Sequence, residues 1–268
     1  MADMTLGFIG GGHMATALMK GLIGQRVLPA GAIHVHDISK DRRMTLAREL
    51  GVINHELCHE MLAPCPLVVL AVKPDVAGQV LAEQRDNLRG KALISIVAGW
   101  STQRLQQALD PSTRVLRVMP NTPALCAMGM TAMSLENTLT LMESQFAKKL
   151  FESIGRVVWL HESQIDGAVG VSGSGPAYAY LFIEALADAG VAMGIPWNQA
   201  VEMAAQTVKG AAEMVLSSGQ HVAQLKNAVC SPGGTTIQAV RVMEKEGLRR
   251  AVMEGALAAW DKARSMGQ

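Results

Sequence analysis

Gly7-Phe8-Ile9-Gly10-Gly11-Gly12-His13-Met14-Ala15 carries the spacing Gly-x-Gly-x-x-Ala at Gly10, Gly12 and Ala15. Between an apolar strand and an apolar-faced helix, that spacing does defined work. The first glycine permits a tight turn, the second lets backbone approach a pyrophosphate, and a small third residue keeps the helix close to the strand. The helix N-terminus adds N–H donors and positive potential for the phosphates. Asp37 lies 22 residues beyond Ala15, where an acidic side chain takes up a ribose 2′-hydroxyl and favours NAD. Ser39, Lys40, Arg42 and Arg43 follow at once, and residues of these types can hold a 2′-phosphate instead. As an ordinary helix start, the same residues would be an N-cap and solvated charges. NADPH and NADH both stay open as the cofactor.

A second constellation is Cys230-Ser231-Pro232-Gly233-Gly234-Thr235-Thr236-Ile237, a loop opening a helix. The N–H groups of Gly234, Thr235 and Thr236, with the hydroxyls of Ser231 and Thr236, form an anion cradle sized for a carboxylate. The plainer reading is a Pro-Gly break with Thr as N-cap. Three polar loops follow strand ends: Ala71-Val72-Lys73-Pro74, Val97-Ala98-Gly99 and Met119-Pro120-Asn121-Thr122-Pro123. Lys73 suits a phosphate or ribose, Ala98 and Gly99 admit a flat ring, and Asn121 can bond a carboxamide. His55-Glu56-Leu57-Cys58-His59 matches the zinc-peptidase pattern letter for letter. Pro64 and Pro66 limit that segment to about two turns, and no third ligand follows at the usual spacing. It reads as a connecting helix, and no metal is assigned.

Holding these groups together requires strands that end side by side. Short apolar runs at residues 5–9, 33–37, 67–71, 92–97, 113–119 and 156–160 alternate with helix-period segments such as 14–25, 42–50, 76–87 and 102–109. Leu67-Val68-Val69-Leu70-Ala71 is apolar on both faces, as interior strands of a helix-covered parallel sheet are. The alternation predicts a doubly wound α/β sheet of Rossmann type. After about residue 162 the period changes. Segment 177–193 has only Glu184 and Asp188 as charges, and in segment 197–216 Glu202, Gln206, Lys209 and Glu213 form one narrow stripe. Helices this apolar need cover on nearly every side. The expectation is a dinucleotide-binding domain over 1–162 and an all-α domain over 163–268 buried against a second subunit, with packing on the first domain as the alternative.

Composition agrees. A chain of 268 residues suggests roughly two domains. Hydrophobic residues at 49 % and charged ones at 18 % exclude wholesale disorder. With 24 Lys and Arg against 23 Asp and Glu, no overall field draws nucleic acid or an anionic membrane. The charge-free stretches 118–135 and 167–183 are broken by prolines and glycines and do not read as bilayer spans. Cys58, Cys65, Cys126 and Cys230 form no Cys-x-x-Cys pair, and Asp3 precedes any basic residue, unlike a secretory signal. A cytoplasmic protein is expected.

Taken in order, the motifs resemble a known family. The glycine turn through Ala15, the tetrapeptide ending at Pro74, the Met-Pro-Asn-Thr-Pro run ending at Pro123, the Val-Ser-Gly-Ser-Gly-Pro-Ala-Tyr stretch ending at Tyr178 and the Ser-Pro-Gly-Gly-Thr-Thr stretch ending at Thr236 are similar to Δ1-pyrroline-5-carboxylate reductases. The resemblance implies a Rossmann domain followed by a helical domain that interlocks with a second subunit, in a homo-oligomer built from dimers. It implies NAD(P)H-dependent reduction of the cyclic imine to L-proline. It places Ile9, Gly10, Gly11, Gly12, His13 and Met14 against the dinucleotide, with Ala71, Val72, Lys73 and Pro74 and with Val97, Ala98 and Gly99. It assigns Ser231, Gly234, Thr235 and Thr236 to the substrate, with the Thr236 hydroxyl near the imine nitrogen as the catalytic group. Two other readings stay open. A β-hydroxyacid dehydrogenase or other imine reductase usually sets a catalytic Lys in its helical half, yet neither Lys209 nor Lys226 lies in a glycine-flanked, catalytic-looking context. A non-enzymatic dinucleotide-sensing module would leave the 231–236 cradle without a role.

Overall fold

The computed structural model describes residues 4–267. Two compact units separate: one runs through Gly173 and includes the chain from Ala259 onward, the other is Ser174–Ala258.

In the first unit, strands β1 (Leu6–Ile9), β2 (Ile33–His36), β3 (Ile53–His55), β4 (Leu67–Leu70), β5 (Ala92–Ser95), β6 (Arg114–Met119), β7 (Gly129–Ser134) and β8 (Gly155–Leu160) form one sheet in the order β3-β2-β1-β4-β5-β6-β7-β8. All neighbours are parallel except β6 and β7. The connecting helices are α1 (His13–Gly24), α2 (Lys40–Leu50), α3 (Cys58–Leu62), α4 (Pro74–Glu83), α5 (Thr102–Ala108) and α6 (Leu141–Glu152), and α7 (Glu162–Ala168) follows the last strand. The doubly wound sheet is as expected. β1, β4 and β5 are buried along their whole length because helices cover both faces. One face packs Leu6, Phe8, Leu18, Leu22, Phe146 and Phe151; the other packs Met61, Leu62, Leu70, Leu81, Leu93 and Leu105. Strand order reverses between β1 and β4, which opens a crevice at their C-terminal ends.

Most boundaries lie within a residue or two of those expected, but α4 ends at Glu83, four residues before Asn87. α2 begins at Lys40 because the Ser39 side chain accepts the Arg42 N–H, and α4 begins at Pro74, whose fixed φ suits a first turn. β2 stops at His36, leaving Asp37 in the loop. β7, absent from the sequence reading, lacks a β-branched run and owes its extension to pairing with β6 and β8.

The second unit holds α8 (Gly175–Ala192), α9 (Trp197–Ser218), α10 (Val222–Ala228) and α11 (Thr235–Lys245), with most of α12 (Leu248–Gly267). α8 and α9 meet through small residues: Ala187, Gly190, Ala200 and Ala204 are buried, and a Cβ added at Gly190 would stand 2.8 Å from that of Ala200. The large apolar residues remain outside, among them Leu181, Met193, Met203, Val229 and Val252.

Candidate functional site

The glycine turn sits where β1 ends. Gly10 has φ +97°, and a Cβ there would lie 2.5 Å from the Ala71 carbonyl oxygen, so no larger residue fits without moving β4's exit. Its N–H donates to the His36 carbonyl at 2.8 Å, and the Ala71 N–H donates to Ile9 at 2.8 Å, clamping the turn between β2 and β4. Gly12 is the contrast. A Cβ there would meet nothing within 4 Å, and as N-cap of α1 it brings no side chain to that helix's first N–H groups. Ala15 is fully buried, as close helix–strand packing requires. These features leave an open, uncapped helix start that fits a pyrophosphate. His13 is exposed and Met14 half-buried beside it.

Around the turn lies a ring of polar contacts. The Gly11 N–H donates to Asp37 Oδ2 at 2.7 Å, and the Ser39 N–H donates to Asp37 Oδ1 at 2.9 Å. Arg42 donates through Nε to the Gly11 carbonyl and through Nη2 to Thr16 Oγ1. Arg43, 7 % exposed, donates from Nη1 to the carbonyls of Asp37 at 2.6 Å and Ile38 at 3.5 Å.

The loops after β4 and β5 join the same end of the sheet. Lys73 is the exposed N-cap of α4, and Gly99 has φ +74°. Trp100 ties the two loops: its Nε1 donates to the Pro74 carbonyl at 3.3 Å, its ring lies 3.5 Å from where a Gly78 Cβ would stand, and the Arg104 guanidinium sits 4.2 Å over it. Val97 is buried and Ala98 half-buried, so small side chains line this rim. Asn121 does not do what its position suggested. Its Nδ2 donates to the Ser172 carbonyl at 2.9 Å and its Oδ1 accepts the Met130 N–H at 2.8 Å, so its amide bonds protein rather than a carboxamide.

A polar hub behind the sheet escaped the sequence reading. Glu162 accepts from the Thr102 N–H at 3.0 Å, the Thr102 hydroxyl at 2.8 Å, Ser134 Oγ at 2.8 Å and Arg117 Nη1 at 2.9 Å. Arg117, 4 % exposed, also pairs with Asp166. Burial would raise the Glu162 carboxyl, but bonds from Thr102, Arg117 and Ser134 outweigh it and hold the group below its ordinary value. The only advance signal was Glu162 at a helix start.

His55 belongs to β3 and His59 to α3, so the pair cannot share a helix face as a zinc peptidase requires. Instead, His55 Nε2 lies 2.8 Å from His34 Nδ1. Among the described residues no group of three or more His, Cys, Asp or Glu is placed to hold a metal. Burial pushes the Cys58 thiol up to about 12 and the Cys65 thiol up to about 11, so neither is a ready nucleophile.

In the second unit, the loop before α11 is a tight turn. Gly233 has φ +70°, the Gly234 N–H donates to the Ser231 carbonyl at 3.0 Å, and a Cβ on Gly234 would fall 2.3 Å from Ser231 Oγ. Gly234 therefore contributes room rather than a donor. No side chain caps α11, so the donors at its start are the N–H groups of Thr235, Thr236 and Ile237. Ser231 is exposed and Thr236 half-buried. Hydroxyls and uncapped N–H groups thus share one turn, which fits a carboxylate.

Residues 162–266 match the family model described as pyrroline-5-carboxylate reductase dimerisation, and residues 5–99 match that for NADP oxidoreductase, coenzyme F420-dependent. The chain is 40 % identical over 265 residues to the pyrroline-5-carboxylate reductase of Escherichia coli K12, covering 98 % of each. It is 41 % identical to that of Synechocystis over 266 residues, covering 99 % of each. Among solved structures, a Plasmodium falciparum pyrroline carboxylate reductase with NADP bound superposes with a TM-score of 0.90 at 34 % identity, over 100 % of both chains.

Proposed function

The chain belongs to the pyrroline-5-carboxylate reductase family, and from that premise we propose how its own residues carry the reaction. It is an oxidoreductase that reduces Δ1-pyrroline-5-carboxylate to L-proline with NAD(P)H. The single observation behind the assignment of roles is the pair of uncapped helix starts, at α1 and at α11, each preceded by a glycine.

Reduced nicotinamide, when bound, supplies a hydride to the imine carbon. Gly10, Gly11 and Gly12 keep backbone close to the pyrophosphate, and the first N–H groups of α1, from His13 and Met14 onward, neutralise it. Ile9 closes the floor of the turn. Asp37 and Ser39 take the adenosine side, while Ala71 to Pro74 and Val97 to Gly99 border the rest of the dinucleotide. At the other helix start, Ser231 Oγ and the N–H groups of Thr235 and Thr236 hold the substrate carboxylate, with Gly234 leaving it room. The Thr236 hydroxyl bonds at the imine nitrogen and steadies the proton there. A hydroxyl is too weak an acid to drive proton transfer, and a protonated imine is electrophilic already, so orientation is the chain's main contribution.

The functional division falls at residues 1–162 for the nucleotide and 163–268 for substrate and pairing, in keeping with the match that begins at residue 162. The protein works as a homo-oligomer built from dimers, with a small-molecule substrate and without nucleic acid or membrane partners. The exposed apolar residues of the helical unit support the first point and the balanced charge the second. Among the described residues no helix is long and apolar enough to cross a membrane, in keeping with a cytoplasmic enzyme. The test is to mix purified protein with pyrroline-5-carboxylate and NADH or NADPH and follow nicotinamide absorbance. Loss of absorbance that requires the imine is expected. Dinucleotide binding without turnover would instead favour the sensing module.

A further inference from the structure

The acid and the two arginines near the start of α2 pull the choice of dinucleotide in opposite directions on paper, but in the fold they are parts of one brace. Asp37 accepts the Gly11 N–H at 2.7 Å through Oδ2 and the Ser39 N–H at 2.9 Å through Oδ1, which anchors a carboxylate against the glycine turn at the end of β2. Arg42 is turned onto the Gly11 carbonyl and the Thr16 hydroxyl. Arg43 is buried onto the carbonyls of Asp37 and Ile38. Both guanidiniums are thus engaged by backbone or hydroxyl oxygens, and neither presents the two-pronged face that recognises a phosphate. The Ser39 oxygen accepts the Arg42 N–H at 3.3 Å, which leaves its O–H as a single neutral donor without the charge that holds a phosphate. Lys40 stands exposed at the first turn of α2, a hydrated point charge that salt screens.

We propose that this chain discriminates against a 2′-phosphate and takes NADH in preference to NADPH, with Asp37 as the specificity-determining residue and Arg42 and Arg43 as struts. The inference rests on the reading that the 10–12 turn holds a dinucleotide. A ribose 2′-hydroxyl offers Asp37 a donor, and the carboxylate retains acceptor capacity beyond its two N–H bonds. A 2′-phosphate brings like charge to the same place, and the brace prevents the carboxylate from swinging aside.

Equilibrium binding tests this without turnover. NADH and NADPH are titrated into the wild-type protein and followed by nicotinamide fluorescence, and 5′-AMP and 2′,5′-ADP are compared as competitors of NADH. NADH is expected to bind at least about tenfold more tightly than NADPH, the order of discrimination like charges at contact distance supply. 5′-AMP should outcompete 2′,5′-ADP. In Asp37→Asn, which keeps an acceptor oxygen but no charge, the ratio should shrink at least about threefold. NADPH binding as tightly as NADH to the wild type overturns the proposal, as does an unchanged ratio in a folded Asp37→Asn protein. Should that variant fail to fold, the wild-type ratio and the competitor pair decide alone. If neither dinucleotide binds, the reading of the turn itself falls, an outcome distinct from equal binding of both.

Discussion

Thr236 carries the sharpest expectation at the residue scale. It occupies the first turn of α11, whose N–H groups no side chain caps, and it brings a hydroxyl to that turn. Thr236→Ala should lower kcat by about 10- to 100-fold, the range lost when one positioned hydrogen bond to a reacting centre is removed. Dinucleotide affinity should stay within about twofold of wild type, because the nucleotide roles are proposed for other residues. Thr236→Ser should recover most of the rate. Steady-state kinetics beside a binding titration separates these outcomes, and an unchanged kcat in the alanine variant would remove Thr236 from the chemistry. The placement of this residue and of the glycine turn at helix starts was legible in the sequence because it is local: a glycine, a helix start and a hydroxyl are all written within a few positions. Gly234 was misjudged as a donor because its N–H closes a turn onto Ser231, a bond that spacing alone does not reveal.

Between elements, the Glu162 hub joins α7 to α5, β6 and β7 through Thr102, Arg117 and Ser134. Its carboxyl is held below the ordinary 4.5 although burial opposes this. The unfolded chain therefore binds the proton more readily, so the hub's stabilisation is complete at neutral pH. It fades once the pH falls below about 5 and is lost as the folded-state carboxyl titrates. Glu162→Gln should cost about 2 kcal/mol at pH 7, a figure reduced from that of a fully buried pair because the carboxyl is partly exposed. The gap between variant and wild type should narrow toward pH 4. Urea unfolding at several pH values measures it, and a gap that stays constant would remove the hub from the acid response. Apart from Glu162 at a helix start, the sequence did not announce this cluster. Thr102, Arg117, Ser134 and Glu162 are spread over four elements, and the antiparallel insertion of β7 adds Ser134 to the group. The same long-range pairing hid the task of Asn121, whose amide is taken up by Ser172 and Met130. Short apolar runs, by contrast, gave β1, β2, β4, β5 and β6 directly though not the short β3, since hydrophobic period depends on neighbours a few residues away.

For the whole molecule, the helical unit sets the terms. α8 and α9 bury small residues against each other and leave Leu181 68 % and Met203 58 % exposed. A second copy is the proposed cover, so unfolding should be coupled to dissociation. The thermal midpoint is expected to rise with protein concentration, by an amount set by mass action. Calorimetry or fluorescence melting over a hundredfold range of concentration reads it, and a midpoint independent of concentration would argue for a self-sufficient monomer. The need for cover was foreseeable because a helix with one narrow polar stripe must bury the rest of its surface, against a second copy or another part of the chain. That need also bears on supply. On the proposed pairing, chaperones and proteases compete with the second copy for the exposed apolar helix faces of a newly made chain. The yield of working catalyst then climbs more steeply than the rate of synthesis at low expression, and levels to simple proportion only when encounters outrun disposal.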